Sequence, residues 1–132
     1  MNPLKLLWSF YGRIGRLAYF GGLWLNTAWA AAAVAAVVYI NQNFDLGRPG
    51  EPLGVALGSF ILAGIALFVW AKLALAAKRF HDLGKSGWLS LVIAIPVFGF
   101  IAFIFLLFAR GDAFDNAYGP AQRQIAPLPQ PG

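Results

Sequence analysis

The stretch KRFHDLGKSGW, residues 78–88, contains the side chains of this chain that are best suited to chemistry. His81 is the only histidine, and Asp82 directly follows it. With Ser86 or Ser90 these residues would supply the three groups of a serine hydrolase triad. Adjacent residues of a helix point about 100° apart, however, so Asp82 is badly placed to orient the neighbouring imidazole. The spacing therefore does not favour catalysis.

Metal chemistry is disfavoured for a related reason. A protein metal site needs three or four ligands, whereas this chain has one histidine, no cysteine and five acidic residues. We therefore expect no metal and no other cofactor. His81 keeps two interpretations: a pH-sensitive or proton-shuttling group, or a neutral ring bonded to a backbone carbonyl of a turn.

The same stretch has the features of a turn between two helices. Gly84 can adopt the left-handed conformation that closes a helix, and Ser86 can cap the helix that follows. Gly87 keeps the turn short, and Trp88 suits the interface between membrane and water. The residue types of the stretch thus have a structural explanation that needs no reaction.

Basic side chains near this turn form a second candidate site. Guanidinium groups bind phosphate through paired hydrogen bonds, and ammonium groups bind it as point charges. The hypothesis assigns contact with lipid phosphate or an acidic partner to Arg13, Arg16, Lys72, Lys78, Arg79 and Lys85. The alternative is that these cations only set the orientation in the membrane. Asp82 is expected to pair with Lys78 or Arg79 on the exposed helix surface.

The composition indicates whether the chain is surrounded mainly by water or by lipid. Of the 132 residues, 60% are hydrophobic and only 11% are charged, and the mean hydropathy is +0.68. A soluble domain carries roughly 25% charged residues, so the apolar surplus favours a bilayer. The net charge of +5 comes from cations that flank apolar runs. We therefore expect anionic membrane lipids, and no nucleic acid, as partners.

Three apolar runs lie at about residues 18–40, 53–77 and 88–109. Each is long enough to cross a ~30 Å hydrocarbon core as a helix, and backbone groups in lipid must pair within such a segment. Pro96 and Gly99 predict a kink in the third run. The predicted fold class is all-α: an integral membrane helical bundle with three transmembrane helices, forming one membrane domain over residues 1–120.

The residues before the first run predict an amphipathic helix. Aromatic and aliphatic side chains recur at helical spacing on one face, while Lys5, Arg13 and Arg16 fall on the other. Asn2 can cap this helix, and Pro3 suits its first turn. Such a helix lies in the membrane interface. The alternative is a short run-in to the first span.

The distribution of lysine and arginine predicts the orientation. The N-terminal segment and the loop after the second run are rich in cations, whereas the first loop has Arg48 alone and the segment after the third run has Arg110 and Arg123. The N-terminus is therefore expected in the cytoplasm and the C-terminus in the periplasm or outside. Residues 121–132 include APLPQPG and predict a flexible, proline-rich tail.

Four short strings of residues carry a resemblance to a known family. FYGRIGRLAYF precedes the first run, KRFHDLGKSGW follows the second, IPVFG lies within the third, and GDAFDNAYG comes after it. In this order they resemble the domain of unknown function 805 family of small bacterial inner-membrane proteins, over about residues 10–120. Departures are mild: Lys78 stands at a usual arginine, and Ala113 and Ala117 replace the usual proline-containing and basic positions.

The resemblance implies bacterial origin and residence in the inner (plasma) membrane as a multi-pass protein, and it implies no activity. The residues that match the motifs of the family are Gly12, Arg13, Arg16, Arg79, His81, Asp82, Gly84, Ser86, Gly87, Trp88, Gly111, Asn116, Tyr118 and Gly119.

From these observations we expect a non-enzymatic component that binds lipid or a partner through a basic cytoplasmic rim. The alternative is a subunit of a small oligomeric transporter or pore, and a homo-oligomer or another membrane protein is a possible partner in either case. An enzyme that acts on lipid headgroups at His81 ranks third.

Overall fold

The computed structural model describes residues 2–43 and 52–121, which are helical with no β-strand among them. The α-helices are α1 Pro3–Trp8, α2 Arg16–Asn43, α3 Pro52–Asp82 and α4 Pro96–Phe108, with a 3₁₀ helix Gly87–Ala94 between α3 and α4. The all-α prediction is confirmed. The predicted proline-rich tail lies, apart from Ala121, outside the described residues.

Helices α2 and α3 are long and apolar enough to cross a membrane. They contain 28 and 31 residues, which at 1.5 Å per residue gives about 42 and 46 Å, more than a ~30 Å hydrocarbon core. Only 6% and 0% of their most apolar stretches is buried, unlike the core helices of a soluble domain. This exposed apolar surface requires an apolar solvent.

The two long helices are antiparallel and share a polar contact within their apolar length. The side-chain amide of Asn26 donates to the carbonyl of Phe68 at 3.3 Å, and the indole of Trp29 donates to Asn26 Oδ1 at 3.0 Å. One turn earlier on α2, Gly22 lies against Leu75 of α3. Interhelical hydrogen bonds and small residues of this kind hold apolar helices together where hydrophobicity cannot.

The structure does not confirm the prediction that residues 88–109 form a third crossing helix. The run is divided at Ile95, whose backbone is extended between the 3₁₀ helix and α4. At its start, Gly87 lies against His81 and Ala77 of α3. At its end, the carbonyls of Leu106 and Ala109 accept hydrogen bonds from Arg79 of α3. The run therefore starts and finishes beside the same end of α3. We refer to residues 87–108 as the re-entrant hairpin.

The reversal has a local cause in the residues that predicted a kink. Pro96 has no backbone N–H and disfavours helical geometry at the residue before it, so Ile95 becomes extended. Gly99 then approaches the backbone of Ile93 so closely that a Cβ would collide with it. The tip of the hairpin and Lys72 of α3 line one cavity. Lys72 precedes Asp82 by ten residues, so the tip of the hairpin lies about 15 Å along α3 from the end of that helix.

This reversal also changes the predicted sidedness of the chain. Residues 109–121 lie beside Arg13 and Asp82, at the same end of the helices as the loop that follows α3. The sequence predicted that the segment after the third run lies across the membrane from the N-terminal segment. In the described residues the two segments are instead in direct contact.

Helix α1 confirms the predicted start and corrects the predicted length. Asn2 Oδ1 accepts from the backbone N–H of Leu4 at 3.0 Å, and proline occupies the first turn. The helix ends at Trp8 because the hydroxyl of Ser9 accepts from the N–H of Tyr11 at 3.1 Å, which competes with helical bonding. Gly12 follows with φ +92°, a conformation that favours glycine. The chain turns there and directs Arg13 into the protein.

The hydrophobic core lies at this same end of the helices. It joins the N-terminal segment, α2, α3 and α4 through Ile14, Tyr19, Leu75, Ala76, Phe80 and Leu106. Close packing is thus concentrated around the basic residues, while the far ends of α2 and α3 expose their apolar side chains.

Candidate functional site at the basic end of the helices

Asp82 lies between two arginines at the end of α3. Arg13 Nε donates to Asp82 Oδ1 at 3.1 Å, and Arg79 Nη1 donates to Asp82 Oδ2. The three residues are only 2%, 0% and 3% exposed. The sequence predicted an exposed pair within one helix, but the structure shows a buried ion triad that also recruits the N-terminal segment. We call the region around this triad the basic end.

The remaining donors of Arg13 bind the segment that follows α4. Its two terminal nitrogens donate to the carbonyls of Asp112 at 2.8 Å, Phe114 at 2.9 Å and Gly119 at 3.2 Å. The backbone N–H of Asp112 in turn donates to the carbonyl of Asp82 at 2.7 Å. The guanidinium of Arg13 therefore joins the N-terminal segment to residues 112–119.

Arg79 performs the corresponding task for the re-entrant hairpin. Its Nε donates to the carbonyl of Leu106 at 2.9 Å, and Nη2 donates to the carbonyl of Ala109. Carbonyls at the C-terminal end of a helix have no partner within the helix and carry partial negative charge. Arg79 thus caps α4 and holds the returning arm of the hairpin against α3.

Lys78 is likewise used inside the protein. Its side chain is 0% exposed, and its ammonium donates to the carbonyls of Lys5, at 2.9 Å, and Leu6. These carbonyls belong to the last turn of α1, where a cation complements the helix dipole. Lys78 therefore docks α1 onto α3.

His81 has a structural position that matches one of its two predicted interpretations. Its Nδ1 lies 3.1 Å from the carbonyl of Gly12, so a neutral ring with the proton on Nδ1 satisfies this contact. The ring stacks on Tyr118 with centroids 4.0 Å apart. The carbonyl of His81 accepts from the side-chain amide of Asn116 at 2.9 Å. The residue therefore connects all three segments of the basic end.

The predicted turn after α3 is present. Gly84 has φ +67°, and the N–H groups of Gly84 and Lys85 donate to the carbonyls of His81 and Phe80 at 3.1 and 2.9 Å. This pair of bonds is the Schellman motif that ends a helix. Ser86 caps the 3₁₀ helix by accepting from the N–H of Trp88 at 3.4 Å.

Gly111 and Gly87 are needed for close approach. A Cβ at Gly111 would collide with the carboxylate of Asp82, and one at Gly87 would lie 2.7 Å from His81 Nε2. Gly119 contributes its carbonyl to Arg13 and a short backbone pairing with Asn116.

Comparison with known proteins identifies the family of this chain. The family described as protein of unknown function, DUF805, matches residues 7–120. The chain belongs to the DUF805 family. It is 27% identical over 119 residues to inner membrane protein YhaI of Escherichia coli K12, with 90% of each chain covered, and equally similar to the protein of that name in Escherichia coli O157:H7. No solved structure matches the chain.

In this DUF805 chain, the motifs quoted from the sequence meet in space. FYGRIGRLAYF supplies Gly12 and Arg13, KRFHDLGKSGW supplies Arg79, His81 and Asp82, and GDAFDNAYG supplies the carbonyls and the amide that bind them. The fourth string, IPVFG, forms the tip of the re-entrant hairpin. The motif residues with described contacts thus act together in holding the fold.

The six proposed headgroup contacts separate into three groups in the structure. Arg13, Lys78 and Arg79 are buried with internal partners, so their charged groups are not presented to a headgroup. Lys72 lies about 15 Å from the triad along α3, beside the tip of the hairpin. Arg16 and Lys85 reach the surface of the basic end.

Sequence reasoning separated Arg110 from the other basic residues, whereas the structure places it among them at the basic end. It is exposed at the basic end directly after the re-entrant hairpin. The signal that would have found it is the string IPVFG, because a proline and a glycine in the middle of a run allow a reversal as well as a kink.

A surface cavity of about 650 Å³ lies beside the buried triad. Arg16, Arg110 and Asp112 line it, and Arg79 and Asp82 contribute to its wall. The carboxylate of Asp112 accepts a hydrogen bond from the side-chain amide of Asn116 at 2.9 Å. Among residues 2–43 and 52–121, the ion pairs involve Arg13 and Arg79 with Asp82. The guanidinium groups of Arg16 and Arg110 therefore face this cavity without a carboxylate partner in the described part of the chain.

Proposed function

We propose that this chain is a non-enzymatic, integral component of the bacterial inner membrane that binds anionic lipid headgroups at its basic end. Two long helices with unburied apolar surfaces support residence in a bilayer. The name of the similar Escherichia coli protein supports the inner membrane as the location. In this proposal α2 and α3 cross the membrane and the hairpin enters from one face.

The basic end faces the cytoplasm in this proposal. Cations concentrate there at Lys5, Arg13, Arg16, Lys78, Arg79, Lys85 and Arg110, while the loop between α2 and α3 contains Arg48 alone. Such an imbalance sets orientation in inner membranes. The reversal of the hairpin strengthens this argument, because it moves Arg110 from the poorer side to the richer one.

The observation that carries the proposal is the cavity lined by Arg16 and Arg110. Their planar guanidiniums match the geometry of phosphate oxygens. Arg16, Arg79 and Arg110 outnumber the carboxylates of Asp82 and Asp112 in the lining, so the cavity carries a net positive charge. A headgroup phosphate of an anionic lipid would find these donors at the level where the apolar helices end. Lys85, exposed at the same end, adds attraction without a shaped site.

The position of His81 supports a binding role over an enzymatic one. Its Nδ1 contacts the carbonyl of Gly12, and its ring is stacked on Tyr118. The nearby Ser86 accepts a helix-capping bond. A headgroup-acting enzyme would require His81 as a base, and His81→Asn would then abolish its activity on headgroups. We propose that this substitution alters stability alone.

The test is lipid binding to the purified protein in a non-ionic detergent, followed by native mass spectrometry with phosphatidylglycerol and phosphatidylcholine. We expect a preference for phosphatidylglycerol that falls at least about tenfold in the double variant Arg16→Gln, Arg110→Gln, since hydrogen bonds to charged groups contribute roughly 1.5–3 kcal/mol each. Lys85→Gln is the matched control, because it removes an exposed cation of the basic end that does not line the cavity. Equal losses in both variants would show that the preference for phosphatidylglycerol depends only on the number of positive charges. That result would contradict a shaped site.

The second candidate, a subunit of a small oligomeric transporter or pore, is favoured by the re-entrant hairpin. Irregular backbone at membrane depth is found where it is buried in protein or lines a cavity, and both apply to transport proteins. A homo-oligomer that carries solute flux in liposomes would support this candidate over the first. A monomer with no flux would remove it.

A further inference from the structure

A second cavity, of about 370 Å³, lies at the tip of the re-entrant hairpin. It is bounded by α2, α3, the end of the 3₁₀ helix and the first two turns of α4. Its volume falls within the range of small-molecule sites. It is separate from the basic end by position and by residues, with no lining residue in common with the cavity of Arg16 and Arg110.

Lys72 gives this cavity a positive charge. Its ammonium lies 5.0 Å from the ring centroid of Phe68, one turn earlier on α3 and away from the basic end. In the described part of the chain no carboxylate forms an ion pair with it. An ionisable residue at such a depth is costly and marks a functional position by default.

Tyr19 and Thr27 line the cavity on α2. Tyr19 is 1% exposed and belongs to the hydrophobic core of the basic end. Thr27 lies two turns further along α2 and brings a hydroxyl to the lining.

The rest of the lining is apolar. Leu23, Ile93, Phe100 and Phe103 surround the space opposite the polar groups. Helix α4 begins at Pro96, on the cavity wall, and its first N–H groups have no partner within the helix. These features add a weak positive potential to the end that already holds Lys72.

We propose that this cavity binds a monoanionic amphiphile, with a carboxylate head at Lys72 and an acyl chain against Phe100 and Phe103. A single cation neutralises one negative charge, and a second charge on the ligand would stay uncompensated in a medium of low polarity. A molecule with an apolar chain also reaches this depth by dissolving in the bilayer. Fatty-acid-like carboxylates meet both conditions.

The experiment uses the full-length protein in phosphatidylcholine nanodiscs and a decanoic acid that carries a photoreactive diazirine at the end of its chain. Cross-linked residues are mapped by mass spectrometry. We expect labelling centred on Phe100 and Phe103 that unlabelled decanoate displaces and the neutral decanol does not. Labelling spread along the lipid-facing sides of α2 and α3, or equal displacement by decanol, would overturn the proposal.

Variants separate the charge of the ligand site from general effects. Lys72→Met should lower labelling at Phe100 and Phe103 at least tenfold, and Lys72→Arg should preserve it. Lys85→Met, which removes an exposed lysine at the basic end, is the matched control. Unchanged labelling in Lys72→Met would refute the site. If that variant does not fold, the contrast between decanoate and decanol on the native chain still decides.

The two proposals fail independently. The double variant Arg16→Gln, Arg110→Gln should leave the labelling by decanoate unchanged, because those residues do not line the hairpin cavity. Loss of labelling in that variant would place the carboxylate at the basic end and contradict the inference.

Discussion

The basic end and the hairpin cavity differ in whether their charged side chains have partners within the protein. At the basic end, Arg13, Arg79 and Asp82 are buried, and each is bonded to another or to backbone carbonyls. At the hairpin tip, Lys72 has no ion-pair partner in the described part of the chain. Both regions lie among apolar side chains, so burial alone does not explain the difference.

The difference indicates separate roles. A buried charge with every partner supplied by the protein fixes segments relative to one another, and it leaves no donor for a ligand. A charge without an ion-pair partner costs stability and keeps its hydrogen-bonding capacity for something else. The residues most suggestive of chemistry in the sequence therefore have their partners within the fold, whereas Lys72, which the sequence assigned to headgroup contact or to orientation, lies in a candidate ligand site.

The strongest way to break this comparison is to test the reversal of the hairpin, which places both regions where they are. The chain contains no native cysteine, so each introduced cysteine reports only the accessibility of its own position. Cysteines introduced for Lys85 and Ala113 should react with a membrane-impermeant maleimide from the same face, and one introduced for Asn43 should react from the opposite face. Because labelling is all or none, this is the largest expected effect.

Opposite-face labelling of positions 85 and 113 would restore a third crossing helix. It would also separate Arg13 from the carbonyls of Asp112 and Gly119, and so remove the network itself.

The next effect concerns stability. Asp82→Asn leaves two buried arginines without an anion, so we expect the free energy of unfolding to fall by about 3–5 kcal/mol. Thermal or denaturant unfolding in detergent measures the change. Asp115→Asn is the control, since this exposed carboxylate makes one hydrogen bond, to the N–H of Ala121. Lys72→Met should be far milder than Asp82→Asn, and equal losses would erase the contrast between the two regions.

The smallest effect tests close packing at the basic end. Gly111→Ala places a methyl group against the carboxylate of Asp82, and overpacking of this kind costs about 1–3 kcal/mol. Gly64→Ala is the matched control, because nothing lies within 4 Å of its Cβ position on α3. The unfolding midpoint should fall in the first variant and stay equal or rise in the second. Equal midpoints would show that the segment after α4 is not held against Asp82.

Several features could be predicted from local sequence because their causes are local. Composition and run length predicted helices exposed to an apolar solvent, and Gly84 and Ser86 predicted the turn after α3. Asn2 predicted the start of α1. The end of α1 at Trp8 and the reversal at Ile95 also have local causes, in Ser9, Gly12 and Pro96, but each of these residue types permits more than one outcome. The sequence was therefore read as a longer helix and as a kink.

The sequence by itself determined that this chain is apolar, helical and basic, and that its charged residues flank its apolar runs. Only the tertiary structure decided which of those charges are used internally. Hydrogen bonds between Arg13 and the carbonyls near residues 112–119 join positions about a hundred residues apart, and backbone carbonyls leave no signature in side-chain sequence. Whether a cation binds a headgroup, a helix end or a ligand depends on such partners, which become neighbours only when the hairpin returns.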